Sequence, residues 1–570
     1  MAETKMQAME QILSRPRRHM SFLIGQYETQ CYYSQEFLTN QSEICAFVKR
    51  TPSCSFYVYY MDYLKLIFCT LKLEWHTIFF AVAVLFILVE MCITYMIAKY
   101  FLLPNFLTLM STAPISPYAF CFTCSCLLLH LPEYINVVMG CVYSRTYVAS
   151  LVLARTQGDL MRCFSVGIML LCVDGYRVNG LTLWGNMMFI IVGHFYLQIV
   201  VSKKYELFKR PDLPIEEMYM LNFRAQLFLF VLIVIFVVVL LVSYLRQRHK
   251  RKKPIKASAS AVSLSENSIQ DDPISDTEVQ SVHESTELSA WQLWWDTVNG
   301  YKRMRDNNKT LAILLTPIYF SCACFVPVMD KERALHGWCK AVVCTAYITF
   351  PFLFIPFKPI SVQWTMLVLS CWFVSFLILV ATKARQCPKH LWFYSLTGVF
   401  MVTITTRFFT DEVDNLIWQI VSMQFHASPS LTNLIFFGID DTLIVVVVLN
   451  HLLKTEMLDA AFGIVMSLAT YSVYLAVPEL VLHKCYNRDV FIMITPYTET
   501  CMVFTPILLV GSLLHISMCG YELRFSLFVY LLVFLISYVI FQWMSHLNWV
   551  HEMGTLHRIT PPRESPKFWA

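Results

Sequence analysis

Charge is what this sequence has least of. Asp, Glu, Lys and Arg make up only 15% of its 570 residues, against 57% hydrophobic residues. A typical soluble domain is about 25% charged. A soluble chain of this length would form several domains whose surfaces need more charge than this. An ordinary soluble enzyme and a disordered chain are therefore excluded. Net charge is only +5, too small and too dispersed for a nucleic-acid footprint. There is no zinc-ligand spacing, phosphate-binding loop, dinucleotide fingerprint or nucleophile elbow. No enzyme activity, no resident cofactor and no nucleotide-driven pump is expected. Residues 1–30 lack a secretory hydrophobic region, and Glu3 and Glu10 weigh against reading Lys5, Arg15, Arg17 and Arg18 as a mitochondrial presequence.

What remains is a polytopic membrane protein, with the lipid bilayer as its first partner. About 20 mainly apolar residues in a helix span a hydrocarbon core. Such runs occur at about 77–99, 116–142, 155–173, 181–201 and 226–245. At Arg246 the character changes. RQRHKRKKPIK is followed by a Ser/Glu/Asp-rich stretch to about Leu288, read as a solvated linker. Basic residues beside a span place this loop on the cytoplasmic or matrix side. Ser263, Ser265, Ser268 and Ser275 among its acids allow a second reading, as a phosphorylation-sensitive loop. Further apolar runs lie at about 310–328, 338–358, 363–382, 391–424, 430–453, 458–483, 489–516 and 524–545. The run from 391 is too long for one straight span and carries Thr410, Asp411 and Glu412, so a long tilted helix is expected.

Cysteine is plentiful, at 20 residues. Cys121, Cys124, Cys126, Cys163 and Cys172 sit in apolar runs and read as small hydrophobes. Cys31, Cys45, Cys54 and Cys69 precede or edge the first span, where a disulfide pair is compatible with an oxidising side.

The two halves of the chain resemble each other. Ser116-Pro117 and Ser428-Pro429 each precede an apolar helix interrupted by acid, Glu133 in one and Asp440-Asp441 in the other. A span containing glycine follows each, with Gly167 and Gly463. Paired interrupted helices point to a transport site at a repeat interface. An acid inside a span costs about 2.5–3.5 kcal/mol on insertion scales and is expected to face protein or water. Glu133 follows Pro132, which removes a backbone donor and leaves carbonyl oxygens suited to Ca²⁺ or Na⁺. Asp440 and Asp441 follow Gly438. Neighbours differ by about 100° on a helix, so only one of them faces a given axis. The bland alternatives are an interfacial Glu133 and a simple turn at Gly438. His130 and His194 read as satisfied core histidines.

At these residues the sequence resembles the cation/calcium exchanger superfamily, and within it the mitochondrial sodium/calcium exchangers. The resemblance rests on several short segments in order. They are Cys45, Val48, Cys54, Asp62-Tyr63 and Ile67-Phe68-Cys69; Phe101 to Pro104-Asn105 and Ser116; Pro327-Val328-Met329-Asp330 with Trp338; Thr410-Asp411-Glu412-Val413 with Asn415; and Glu456-Met457 with Phe462-Gly463. It implies an all-α fold of two inverted five-helix repeats with about 12–13 transmembrane helices. An even number of crossings must separate such repeats. The run at 310–328, with Pro317 and Pro327, is the candidate for not crossing. The implied organisation is an extramembrane region at 1–76, a first repeat at 77–245, a loop at 246–308, intervening segments at 309–385, a second repeat at 386–546 and a tail at 547–570.

The resemblance further implies exchange of Ca²⁺ for Na⁺, Li⁺ or H⁺ by alternating access, in the mitochondrial inner membrane or, alternatively, the plasma or another organelle membrane. Glu133 would coordinate the ion with Asp440 or Asp441 opposite, assisted by Ser165 and Thr442, with Asp411 and Glu412 shaping an entry path. The family's motifs are depleted here. Where its first repeat has an asparagine ligand this chain has Leu129, and its second-repeat acid position is shifted. A transport-impaired paralogue acting as a structural or regulatory subunit is therefore the second reading. A carrier using His130 as a ligand is the third. Inorganic cations are the expected small partners, and a homo-oligomer is left open.

Overall fold

The computed structural model describes residues 41–50, 61–130, 147–173, 175–201, 204–205, 218–221, 223–252, 289–305, 309–357, 362–384, 386–424, 429–436, 438–476, 478, 490–493, 496–547 and 549–550. Pro132 and Glu133 lie outside them.

The apolar runs fold as helices because, in lipid, a helix satisfies its own backbone polar groups. The first helix, α1 (His76–Thr112), contains a π-helical stretch at Ala98–Leu102. Its Ile78, Val82, Leu85 and Leu88 are exposed, while Ala83, Glu90, Ile93 and Ile97 form a buried stripe. An apolar outer face and a protein-facing stripe are what a lipid-embedded bundle requires. The chain continues through α2 (Pro117–Leu129), α3 (Tyr147–Val173), α4 (Gly180–Val201) and α5 (Phe223–Lys252). Between the halves lie α6 (Lys309–Phe325), α7 (Lys340–Thr349) and α8 (Val362–Ala381). The second half is α9 (Leu391–Gln424), the broken pair α10 (Pro429–Ile435) and α11 (Ile439–Lys454), then α12 (Leu458–Tyr474), α13 (Pro496–Met518) and α14 (Phe525–His546). Among the described residues, seven helices are long and apolar enough to cross a membrane. The protein is an all-α polytopic membrane protein. Its small strands β1 (Lys204–Tyr205), β2 (Met218–Leu221) and β3 (Val490–Met493) form one antiparallel patch.

That patch carries topological information. β2 connects α4 to α5, and it pairs with β3, which connects α12 to α13, in the register Tyr219 opposite Ile492. The segment joining α3 to α4 pairs in turn with the one joining α13 to α14. Val178 N donates to Tyr521 O at 2.9 Å, and Leu523 N to Tyr176 O at 2.8 Å. Paired loops share a membrane face, whereas the loops at the two ends of one crossing helix do not. The third-to-fourth connection of each half thus lies on the same face as the fourth-to-fifth connection of the other. This holds only if the halves enter the membrane from opposite faces, the inverted arrangement described for many transporters.

The close packing follows the same two-fold logic. A Cβ on Gly463 of α12 would sit 2.8 Å from Tyr118 O of α2, and one on Gly158 of α3 would sit 3.0 Å from Leu434 Cα of α10. Gly158 is therefore the spatial counterpart of Gly463. Gly167, its partner by sequence order, packs instead on Val465 of α12. Sequence order misassigned the pair because both glycines lie on α3, about two and a half turns apart. The run at 391–424 is one continuous helix of 34 residues, about 50 Å at 1.5 Å per residue. Of the helices between the halves, α6 has 17 residues with Pro317 inside it, and among the described residues only α8 reaches span length.

The geometry also orients the termini. The Tyr176 hydroxyl, between α3 and α4, donates to Asp459 at the start of α12, and Tyr118 at the start of α2 stacks on Phe462. The end of α1 and the end of α5 thus share one face, and the described residues before His76 occupy the other. The latter region holds a Cys45–Cys69 disulfide, which persists on an oxidising side. The basic end of α5 obeys the positive-inside rule on the opposite side. An epitope placed before Gln41 and one placed within residues 256–288 are expected to be cleaved by protease added to opposite sides of the membrane. Cleavage of both from one side contradicts this orientation.

Candidate functional site

The second broken helix meets α3 and α9 inside the bundle, and the charged residues of all three converge there. On α3, Arg155, Asp159 and Arg162 recur at four- and three-residue spacing and so share one face. On α9, Arg407 and Asp414 are two turns apart. Asp440 and Asp441 occupy the first turn of α11.

Arg155 joins the three elements. Its Nη1 donates to Asp414 Oδ2 at 3.0 Å, and its Nη2 donates to Asp441 Oδ2 at 2.8 Å. Its Nε lies 3.7 Å from Asp159 Oδ2. Arg407 reaches the same cluster from α9, with Nη2 3.5 Å from Asp414 Oδ2 and Nη1 3.9 Å from Asp440 Oδ2. Arg162 pairs with Asp159 and donates through Nη1 to Leu434 O at 2.7 Å. Arginine suits this task, since its planar fork bonds two acceptors at once and stays charged when buried.

The break itself is closed by side chains from α3. Gly438 adopts φ +77°, the left-handed region that other residues enter at a cost. A Cβ there would collide with Asp159 Oδ1 and lie 2.8 Å from Arg162 Nη2. The carbonyl end of a helix carries partial negative charge and the amide end partial positive charge. Transporters use such half-helix ends to hold ions at midplane. Here Arg162 serves the carbonyl end of α10, and the Asp159 carboxylate stands at the amide end of α11.

Three guanidiniums face four carboxylates, leaving one uncompensated negative charge among the described residues. The weakest pairing belongs to Asp440, which is 4% exposed and has no hydrogen-bond partner on either oxygen. Its ion pair with Arg407 is the 3.9 Å contact.

Of the sequence-derived candidates, Asp440, Asp441 and Gly438 stand together at this break. Thr442 follows them, but its hydroxyl donates to Gly438 O at 3.0 Å and lies 3.7 Å from Cys163 Sγ. Ser165 is buried on α3 with no hydrogen-bond partner for its hydroxyl. Glu412 is buried on α9, but outside this cluster's ion pairs. His130 stacks on Tyr471 at 3.7 Å, and His194 Nε2 lies 3.2 Å from Met502 O in the core. Arg155, Asp159, Arg162, Arg407 and Asp414 were not singled out from sequence. The signal for Arg155, Asp159 and Arg162 was present as R-x-x-x-D-x-x-R at helical spacing in an apolar run, since intramembrane acids call for intramembrane bases. No group of three or more His, Cys, Asp and Glu positioned for a metal occurs among the described residues.

The fold and site together define a polytopic α-helical membrane protein with a charge-paired helix break at its centre. Comparison with protein families, with curated protein sequences and with solved structures finds no match for this chain.

Proposed function

We propose that this is an exchanger-type membrane protein in which arginine has taken the place of the cation. It does not exchange Ca²⁺ for Na⁺ at the α10–α11 break, and it serves as a structural or regulatory membrane subunit. The observation that carries this reading is the Arg155 guanidinium bridging Asp414 and Asp441. Ca²⁺ takes six to eight oxygens at 2.3–2.6 Å, and this guanidinium engages oxygens that such an ion would need. Displacing it would leave a cation buried without its acids, which is strongly unfavourable. The bridge also ties α3 of one half to α9 and α11 of the other. Sliding of α9 against α3, as alternating access demands, would break the Arg155–Asp414 ion pair. Leu129 at the position of the family's asparagine adds a second lost ligand on the other side of the site. The resemblance that motivates the exchanger class also favours the mitochondrial inner membrane.

Antiport itself is the second reading. It is favoured by Asp440, whose unbonded oxygens leave one negative charge that a monovalent ion or proton would balance. Flux separates the two. Purified chain in liposomes with an outward Na⁺ gradient is expected to take up Ca²⁺ no faster than protein-free liposomes. Saturable, Na⁺-dependent uptake would overturn the proposal.

A further inference from the structure

Two intramembrane carboxylates are not used by the arginine cluster. Glu90 lies on the buried stripe of α1, seven residues after Ala83 and seven before Ile97. Glu412 lies on α9 two residues before Asp414, so it leaves the helix on nearly the opposite side, away from Arg155. The two acids are brought together by packing. Ile87, a turn before Glu90, packs against the cluster of Val413, Ile417 and Leu431, and Val413 is the neighbour of Glu412. Tyr63 is buried in one cluster with Ala83 of α1 and Leu416 of α9. The Tyr63 hydroxyl is hydrogen-bonded with Glu412, and Glu90 stands within electrostatic reach of both.

Glu90 is 8% exposed and Glu412 is 6% exposed. Glu90 Oε2 has no hydrogen-bond partner, while the Tyr63 hydroxyl faces the Glu412 carboxylate. Neither acid forms an ion pair with Lys or Arg among the described residues. Buried carboxylates are normally paired or bound to metal. Two carboxylates and a hydroxyl form an all-oxygen donor set, which selects hard cations, and two negative charges match a divalent one.

We propose that Glu90, Glu412 and the Tyr63 hydroxyl hold a divalent hard cation of the Ca²⁺ class where α1 meets α9. The ion is resident rather than cargo. It fastens the first helix of each half to the other, beneath the N-terminal segment that the Cys45–Cys69 disulfide closes. Water completes its coordination, since three side chains supply fewer than the usual number of oxygens. This site is separate from the arginine cluster and does not depend on the function proposed above.

The test is equilibrium binding of radiolabelled Ca²⁺ to the purified full-length chain, with thermal melting in Ca²⁺, in Na⁺ alone and in chelator. One Ca²⁺ per chain and a higher melting temperature in Ca²⁺ than in Na⁺ or chelator are expected. Glu90→Gln and Glu412→Gln should each raise the half-saturating Ca²⁺ concentration about tenfold or more. Tyr63→Phe, which keeps the packed ring, should weaken binding severalfold and covers the case in which a Gln variant does not fold. Absence of Ca²⁺ binding, equal stabilisation by Na⁺ alone, or Ca²⁺ binding lost in Asp440→Asn but kept in Glu90→Gln would each overturn this site.

Discussion

Arg155→Ala is expected to destabilise the protein by about 3 kcal/mol. Removing one partner of a buried ion pair costs about 3–5 kcal/mol, because the other charge stays buried without compensation. Here Asp414 keeps Arg407 at 3.5 Å, and Asp441 is 28% exposed, so the lower end applies. Asp441 loses its ion pair altogether. Arg155→Lys should recover only part of the loss, since an ammonium does not reproduce the fork that reaches two helices. Adding Asp441→Asn to Arg155→Ala should restore stability, because the uncompensated charge is then gone. The four variants form a double-mutant cycle, read by thermal melting of purified protein in detergent. An Arg155→Ala variant within about 0.5 kcal/mol of the parent, the usual range for surface substitutions, would mean that the bridge contributes little.

Gly438→Ala should destabilise by about 1–3 kcal/mol or more, and here the sign is diagnostic. In a helix interior, Gly→Ala stabilises by up to about 1 kcal/mol. At φ +77° the added Cβ forces a left-handed backbone that L-residues adopt at a cost. It also meets Asp159 Oδ1 and Arg162 Nη2, the two groups that serve the ends of α10 and α11. Asp159→Ala should relieve part of the steric cost while removing a paired charge, so the two substitutions should be non-additive. Melting curves of the single and double variants measure this. A neutral or stabilising Gly438→Ala would show that the helix break relaxes without loss.

The membrane class was legible from composition, because lipid-facing helices leave little room for charge. The helix break between α10 and α11 was legible from Gly438 beside two acids, whereas the one expected at Pro132 and Glu133 lies outside the described residues. Period and composition do not show which charges meet. Arg155 and Asp441 are 286 positions apart in sequence, and only the inverted packing of the halves sets one beside the other. Read alone, Asp440 and Asp441 resembled ion ligands. Read with α3 and α9, Asp441 is held by Arg155 at 2.8 Å, and Asp440 keeps a 3.9 Å contact with Arg407. Arg407 was hidden in a similar way, since a single base in the long α9 run gives no sign of which helix its head will face. Gly158 was overlooked because its role is a close approach to the α10 backbone, which no local pattern records. The loop pairings that establish inversion involve strands of two to four residues, too short to register as strands in the sequence.

The decisive measurement is a high-resolution cryo-electron microscopy map of the purified chain, recorded with saturating Ca²⁺ and again with chelator. The Arg155 guanidinium should lie between Asp414 and Asp441 in both maps, with α10 and α11 unmoved and no metal density at Asp440. A Ca²⁺ ion coordinated by Asp440 and Asp441, with Arg155 displaced from them, would contradict the replacement of the cation by arginine.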